Sequence, residues 1–342
     1  MQKILLTLLL IAHLWALESF KTVNKNYSIT SEQQLKNNYF PTISPYYYAE
    51  KIRYFSSYDN LEIAYKIFEI KNSKANIVIS SGRTEGMLKY QELIYDLNNN
   101  GYSVYILDHR GQGNSKRLLK DSQIGHVNKF DDYVKDLHQF VSRYLPKDKK
   151  KILIGHSMGG AIASLYAEEY PVEFNGLVLS SPMHQPDLIG RSLTTLVCNL
   201  VENRRRDIDR YIIGESSYDS SFVSFEKNIL THSKVRYEIT KIAFEIEPKT
   251  KIGGPSVRWV AEACAGGERS VTNAHKIKIP TLLLQAQNDK VVNKEPQNIF
   301  CSRIGNLCTE YQIDGAYHEL FVEKDSIREK VLTAILDFIS KI

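Results

Sequence analysis

Ser157 stands in Gly155-His156-Ser157-Met158-Gly159, between the apolar run Lys151 to Ile154 and an alanine-rich helical pattern that starts at Gly160. In that context the pentapeptide reads as a nucleophile elbow. A sharp strand-to-helix turn strains the serine backbone and leaves no room for side chains at the flanking glycines. A serine hydroxyl is a weak nucleophile at neutral pH and needs a base, which a third group must hold in place. On a parallel sheet these partners come from loops after later strands, in the chain order serine, acid, histidine. Asp289 follows the apolar run Pro280 to Gln285, and His318 lies in Gly315-Ala316-Tyr317-His318-Glu319, after a strand near Thr309 to Ile313. Asp314 occupies a competing loop but is too near His318 to come from a separate strand end. His318 is the histidine that follows Asp289, and His156 is too constrained beside the nucleophile to act as its base. A developing oxyanion needs main-chain N–H donors, expected from Met158 and from Arg83 in Ser81-Gly82-Arg83.

Those loops need a scaffold. Ala75 to Ser80, Ser103 to Leu107, Lys151 to Ile154, Gly176 to Leu179 and Pro280 to Leu284 are continuous apolar runs, the pattern of strands buried on both faces of a parallel sheet. Helical patterns separate them at Leu88 to Asn98, Phe130 to Tyr144 and Gly160 to Tyr170, and a last one runs from Ser326 to about Ser340. This alternation predicts an α/β fold, a mostly parallel central sheet with helices on both faces. Lys51 to Ser57 and Leu61 to Glu69 read as an antiparallel hairpin turning at Tyr58-Asp59-Asn60. The alternation breaks over residues 183–275, read as an inserted, mainly helical cap. The core then spans residues 46–182 and 276–342, preceded by a polar, Asn-rich arm over residues 17–45.

The chain has 342 residues, is 43% hydrophobic and 24% charged, and carries a formal net charge of +5. That composition excludes disordered and fibrous classes. Its basic residues are interleaved with acids except at Arg204-Arg205-Arg206, so no nucleic-acid surface is expected. The triplet reads as a solvated helix face, with contact to anionic lipid as the alternative. Residues 1–16 pair a lysine with the apolar stretch Ile4 to Leu14 and a small residue at Ala16, the pattern of a secretory signal peptide. An uncleaved anchor is the alternative. Of the four cysteines, Cys301 and Cys308 flank Gly305-Asn306, a turn that would let them bond; buried thiols are the alternative. Cys198 and Cys264 carry no pairing signal. Gly111-Gln112-Gly113 lacks a third glycine at dinucleotide spacing and reads as a tight loop beside the site. With no H-E-x-x-H, C-x-x-C or phosphate-loop motif, no metal, redox or nucleotide cofactor is expected.

Several segments together resemble the lysophospholipase L2 group of α/β-hydrolases, close to the monoacylglycerol lipases. They are SGRTE from Ser81, DHRGQGNS from Asp108, GHSMGGA from Gly155, LTHS from Leu230, GGPSVRWV from Gly253, LLLQAQNDKVV from Leu282 and the stretch Gly315 to Asp325. The elbow and triad motifs are shared by many hydrolases, whereas LTHS and GGPSVRWV are much more group-specific. The resemblance implies an α/β-hydrolase fold and cleavage of the acyl ester of a lysophospholipid through an acyl-enzyme on Ser157. It leaves as alternatives a monoacylglycerol lipase or general carboxylesterase, a peptidase acting at N-terminal residues, acyl transfer to another lipid, and a non-catalytic lipid-binding protein. With the leader, it places the chain at a bacterial cell envelope or periplasm, in peripheral contact with a membrane surface.

Overall fold

The computed structural model describes residues 27–187, 191–202, 210–218 and 224–342. The leader expected over residues 1–16 and the Arg204-Arg205-Arg206 triplet lie outside the described residues. Eight strands, β1 (Arg53–Ser56), β2 (Glu62–Phe68), β3 (Ala75–Ser80), β4 (Tyr102–Leu107), β5 (Lys151–His156), β6 (Gly176–Ser180), β7 (Thr281–Ala286) and β8 (Cys308–Ile313), form one sheet in the order β1-β2-β4-β3-β5-β6-β7-β8. β1 and β2 make the expected hairpin, and β2 also runs antiparallel to β4. The other pairings are parallel.

The helices are α1 (Glu32–Asn38), α2 (Ser44–Ala49), α3 (Gln91–Asn99), α4 (Asp131–Tyr144), α5 (Met158–Glu169), α6 (Arg191–Glu202), α7 (Lys234–Ile246), α8 (Val257–Thr272), α9 (Glu295–Ile304) and α10 (Asp325–Lys341). Side chains alternate across each strand, which explains the unbroken apolar runs. Val78, Leu153, Leu177, Leu179 and Leu283 join the core that contains α4, α5 and α8. Their neighbours Ile77, Ile79, Ile152, Ile154, Val178, Leu282 and Leu284 join the core that contains α3 and α10.

The strand order reverses at β3, which has β4 on one side and β5 on the other, with Ser80 in register beside Gly155. At such a switch point the loops leaving the carboxyl ends of adjacent strands diverge and leave a crevice. The loop with Arg83 and the turn with Ser157 therefore meet at this crevice.

Three parts of the chain differ from the sequence reading. The described portion of the polar arm is helical, and Leu35, Tyr39 and Ile43 bury themselves against Tyr95 of α3 and Val235 and Ile239 of α7. Their spacing of four is an apolar stripe hidden among Asn, Gln and Lys. Within the segment read as cap, α8 packs directly on α5, and its Trp259, Val260 and Ala263 share the core of the sheet. Helix α9 fills the connection from β7 to β8; its inner residues Gln297, Phe300, Cys301 and Ile304 include an amide, so its stripe is faint in the sequence.

Cys301 and Cys308 are bonded and tie α9 to β8. Cys198 and Cys264 are bonded as well, joining α6 to α8 across a sequence separation of 66. By loop-closure entropy the longer link is worth about 4 kcal/mol and the shorter about 2.5 kcal/mol.

A buried ion cluster locks the arm and the cap onto the core. Arg236 of α7 holds the Glu92 carboxylate of α3 through Nε at 2.9 Å and Nη2 at 3.0 Å, and donates to the carbonyls of Glu323 and Thr30. Burial would drive Arg236 toward losing its charge, but Glu92 and Asp325 outweigh this and raise its pKa. Arg236→Met leaves the Glu92 carboxylate buried without this partner, so urea unfolding should show a loss of about 3 kcal/mol. A loss within error of zero would mean that the cluster does not hold the arm.

Candidate active site

β5 ends at His156 and α5 begins at Met158, so Ser157 alone makes the turn, with φ 53° and ψ −121°. A non-glycine residue at positive φ is strained and persists only where its surroundings over-determine it. The glycines supply that room. A Cβ on Gly159 would stand 2.1 Å from the Ser80 carbonyl oxygen, and one on Gly155 would stand 2.6 Å from the oxygen of Gly159.

Ser157, Asp289 and His318 come together from the carboxyl ends of β5, β7 and β8. His318 Nε2 lies 2.9 Å from Ser157 Oγ, and its Nδ1 lies 2.8 Å from Asp289 Oδ2. With the carboxylate fixing the proton on Nδ1, Nε2 is free to accept the serine proton. Asp289 Oδ1 accepts the N–H groups of Val291 at 2.8 Å and Val292 at 3.1 Å. Burial pushes the Asp289 carboxyl up, but His318 and these donors outweigh it and hold the pKa below its ordinary value. Asp314, the competing acid, is exposed in the turn after β8.

Met158 is the first residue of α5, where a main-chain N–H has no intrahelical acceptor. Opposite it, the loop after β3 presses on the nucleophile: a Cβ on Gly82 would lie 3.2 Å from Ser157 Cβ. Gly82 gives its own N–H to Glu85 Oε2 at 2.6 Å, which leaves Arg83 as the next donor of that turn. Gln112, from the tight loop after β4, donates to the carbonyls of Gly82 at 2.7 Å and Glu85 at 3.0 Å. That loop therefore braces the site and is no dinucleotide cradle.

Four charged residues that the sequence reading did not assign to the site lie directly behind it. Lys89 Nζ bridges Glu85 Oε1 at 2.5 Å and Glu319 Oε1 at 2.6 Å. His156 Nε2 is 3.1 Å from Glu319 Oε2, and its Nδ1 donates to the Ser180 carbonyl at 3.0 Å. Burial disfavours the charges of Lys89, His156 and Glu319, yet their partners prevail. Lys89 and His156 are raised above their ordinary values, and Glu319 is held well below its own. Glu85 belongs to the loop of Arg83, His156 precedes Ser157 and Glu319 follows His318, so the quartet clamps three loops of the site to one another. The available signal was the presence of ionisable residues next to Ser157 and His318, positions that the elbow forces to be buried.

Glu85, His156 and Glu319 also bring metal-ligand atoms within 4.8 Å of one another. The Lys89 ammonium already bridges both carboxylates, so the donor set does not suit a resident cation.

The family described as "Serine aminopeptidase, S33" matches residues 71–325. Lysophospholipase L2 of Escherichia coli is 36% identical over 300 residues, covering 84% of this chain and 86% of that protein. A probable lysophospholipase L2 of Haemophilus influenzae is 32% identical, covering 86% of this chain and 94% of its own length. Among solved structures, the monoacylglycerol lipase of Paleococcus ferrophilus superposes with a TM-score of 0.62 at 22% identity, covering 81% of this chain and 98% of its own. That likeness shows the α/β-hydrolase fold.

Lys89→Met should cost about 3 kcal/mol at neutral pH by leaving two buried carboxylates without their ammonium. It should lower kcat more than it raises KM, since it loosens the loops that hold the catalytic groups. Glu319, whose folded pKa is depressed, contributes stability above its unfolded value of about 4.3 and loses it as pH falls through the folded value. The stability gap between wild type and variant should thus be widest near neutrality and close toward acid. Thermal melts across pH check this; a gap independent of pH would contradict it.

Proposed function

The chain belongs to the serine aminopeptidase S33 family of α/β-hydrolases and, within it, to the lysophospholipase L2 group; it is an ester-hydrolysing serine hydrolase that acts on lipids, and we propose that its substrates are lysophospholipids. In this reading Ser157 Oγ attacks the acyl carbonyl while His318 Nε2 takes the hydroxyl proton. The negative charge of the tetrahedral intermediate falls on an oxygen facing the N–H groups of Met158 and Arg83. His318 then returns the proton to the leaving glycerophospho-alcohol, which departs and leaves an acyl ester on Ser157. Water, deprotonated by His318, attacks that ester, and the fatty acid leaves as Ser157 recovers its proton. Asp289 holds the useful tautomer of His318 and stabilises the imidazolium of each step.

The observation that carries the reading is the hydrogen-bonded relay Ser157–His318–Asp289, set in a chain whose relatives above 30% identity are named lysophospholipases. A monoacylglycerol lipase is the second reading, favoured by the likeness to the Paleococcus ferrophilus enzyme. Export to the oxidising side of a bacterial envelope belongs to the proposal too. Two disulfides suit such a compartment. The cap exposes Leu196, Leu200 and Ile213, apolar groups suited to peripheral contact with a lipid surface.

Purified protein should release fatty acid from lysophosphatidylethanolamine faster than from monoacylglycerol of the same chain, and Ser157→Ala should lose at least about ten-thousandfold in rate. Release confined to the neutral lipid would move the assignment to monoacylglycerol lipase, and full activity of Ser157→Ala would end the triad mechanism. Cell fractionation with N-terminal sequencing should find the mature chain in the periplasm or on its membranes, beginning near residue 17. An intact Met1 in the cytosol would refute export.

A further inference from the structure

Arg83 has two ends with separate surroundings. Its main chain lies in the turn pressed against Ser157, while its guanidinium points away, 5.2 Å from the Trp259 ring centroid, with Nη2 3.2 Å from the Gly253 carbonyl oxygen. The fully buried arginines meet carboxylates: Arg110 pairs with Asp136 and Asp59, Arg236 with Glu92 and Asp325, Arg328 with Asp96 and Glu92. Arg83 has no carboxylate at ion-pair distance among the described residues, and its hydrogen bonds go to the Gly253 carbonyl alone. Burial pushes the group down to about 10, with Glu215 as the opposing charge, so it is still a cation at neutral pH. A half-buried cation with unmet donors held in a fixed plane suits an anion that completes it.

The guanidinium borders an open cavity of about 490 Å³ lined by the loop of Arg83, by α7 and by the segments 215–218 and 251–254. Its other cations are accounted for in part. Lys89 is spent on Glu85 and Glu319, and Lys251 on Glu245. Lys241 lines the wall formed by α7, exposed and without an ion pair among the described residues, and Glu215 is the acid on the opposite side.

The cavity adjoins the catalytic serine: Arg83 and Glu319, which line it, directly follow Gly82, which packs against Ser157, and His318. We propose, resting on the reading of the chain as a lysophospholipid hydrolase, that Arg83 and the adjoining cavity bind the phosphodiester of the substrate head group. The planar fork of the guanidinium offers paired N–H groups to two phosphate oxygens, with Trp259 and Gly253 holding its plane. Lys241 adds a second positive charge at the mouth. A monoacylglycerol presents a neutral hydroxyl at this place and gains nothing from the charge, so Arg83 acts as a determinant of head-group specificity.

The test compares wild type, Arg83→Gln, Arg83→Lys and Lys241→Gln on monodisperse lysophosphatidylethanolamine and on monoacylglycerol of the same acyl chain. Circular dichroism and thermal melts report the folding of each preparation, and the ratio of the two rates cancels any effect on the oxyanion loop common to both substrates. The ratio of kcat/KM for phospholipid over neutral lipid should fall by about tenfold or more in Arg83→Gln, chiefly through KM, the scale of a lost charge-assisted hydrogen bond. Arg83→Lys should recover part of it, and Lys241→Gln should show a smaller fall. Glycerophosphoethanolamine should inhibit cleavage of a neutral ester by wild type and lose that inhibition in Arg83→Gln. An unchanged ratio in Arg83→Gln, with wild type cleaving the phospholipid, would overturn the subsite and leave the lysophospholipase reading intact. A wild type that cleaves only the neutral lipid would remove that reading and the subsite together. Inorganic phosphate inhibiting as strongly as glycerophosphoethanolamine would mark a free-anion site and overturn the head-group assignment.

Discussion

A single ammonium group, Lys89 Nζ, lies between two buried carboxylates that belong to different catalytic loops. Hydrolysis by a serine needs its hydroxyl, its base and its oxyanion donors held to a fraction of an ångström. Here those groups come from the ends of β3, β5, β7 and β8, strands far apart in sequence. The sheet brings the loops near one another but does not fix their last few residues. Lys89, Glu85, His156 and Glu319 do so, because Glu319 pairs with both Lys89 of the loop after β3 and His156 of the nucleophile turn, and so links three loops. Burying any one of these charges alone would cost several kcal/mol, so the network is stable only when complete. That interdependence couples the oxyanion loop to both the nucleophile and its base.

The legible parts of the molecule are those whose cause is local. Two-sided burial leaves unbroken apolar runs, so Ala75 to Ser80 appears in the sequence with the boundaries of β3. The strained turn at Ser157 demands glycines two residues to either side, and the order of Asp289 and His318 follows from the direction in which the sheet is wound. The charged quartet has no such local cause. Glu85 and Lys89 look like any pair of surface charges four apart on a helical stretch, and their burial depends on His156 and Glu319 arriving from two other loops. Cys198 and Cys264 are hidden for the same reason, since only the packing of α6 on α8 brings them together. The stripe Leu35, Tyr39 and Ile43 was masked by composition, its neighbours being polar enough to suggest a loose arm.

The group-specific segments LTHS and GGPSVRWV gain a physical meaning from where they bond. The Leu230 carbonyl accepts the N–H of Glu319, Thr231 Oγ1 donates to the Val322 carbonyl, and His232 lies 2.8 Å from Glu323. Together they staple the start of α7 to the loop that carries His318. In the second segment the Gly253 carbonyl holds Arg83, Gly254 accepts the Gly125 N–H, and Ser256 caps α8 while bonding His126. Among the described residues, the inserted segment is therefore anchored along its inner edge. Its inner edge is tied to the oxyanion loop at one end and to the histidine loop at the other, while α6 is bound covalently to α8. Since Gly253 ends one such tie and accepts from the Arg83 guanidinium, the inserted segment and the oxyanion loop meet at this hydrogen bond.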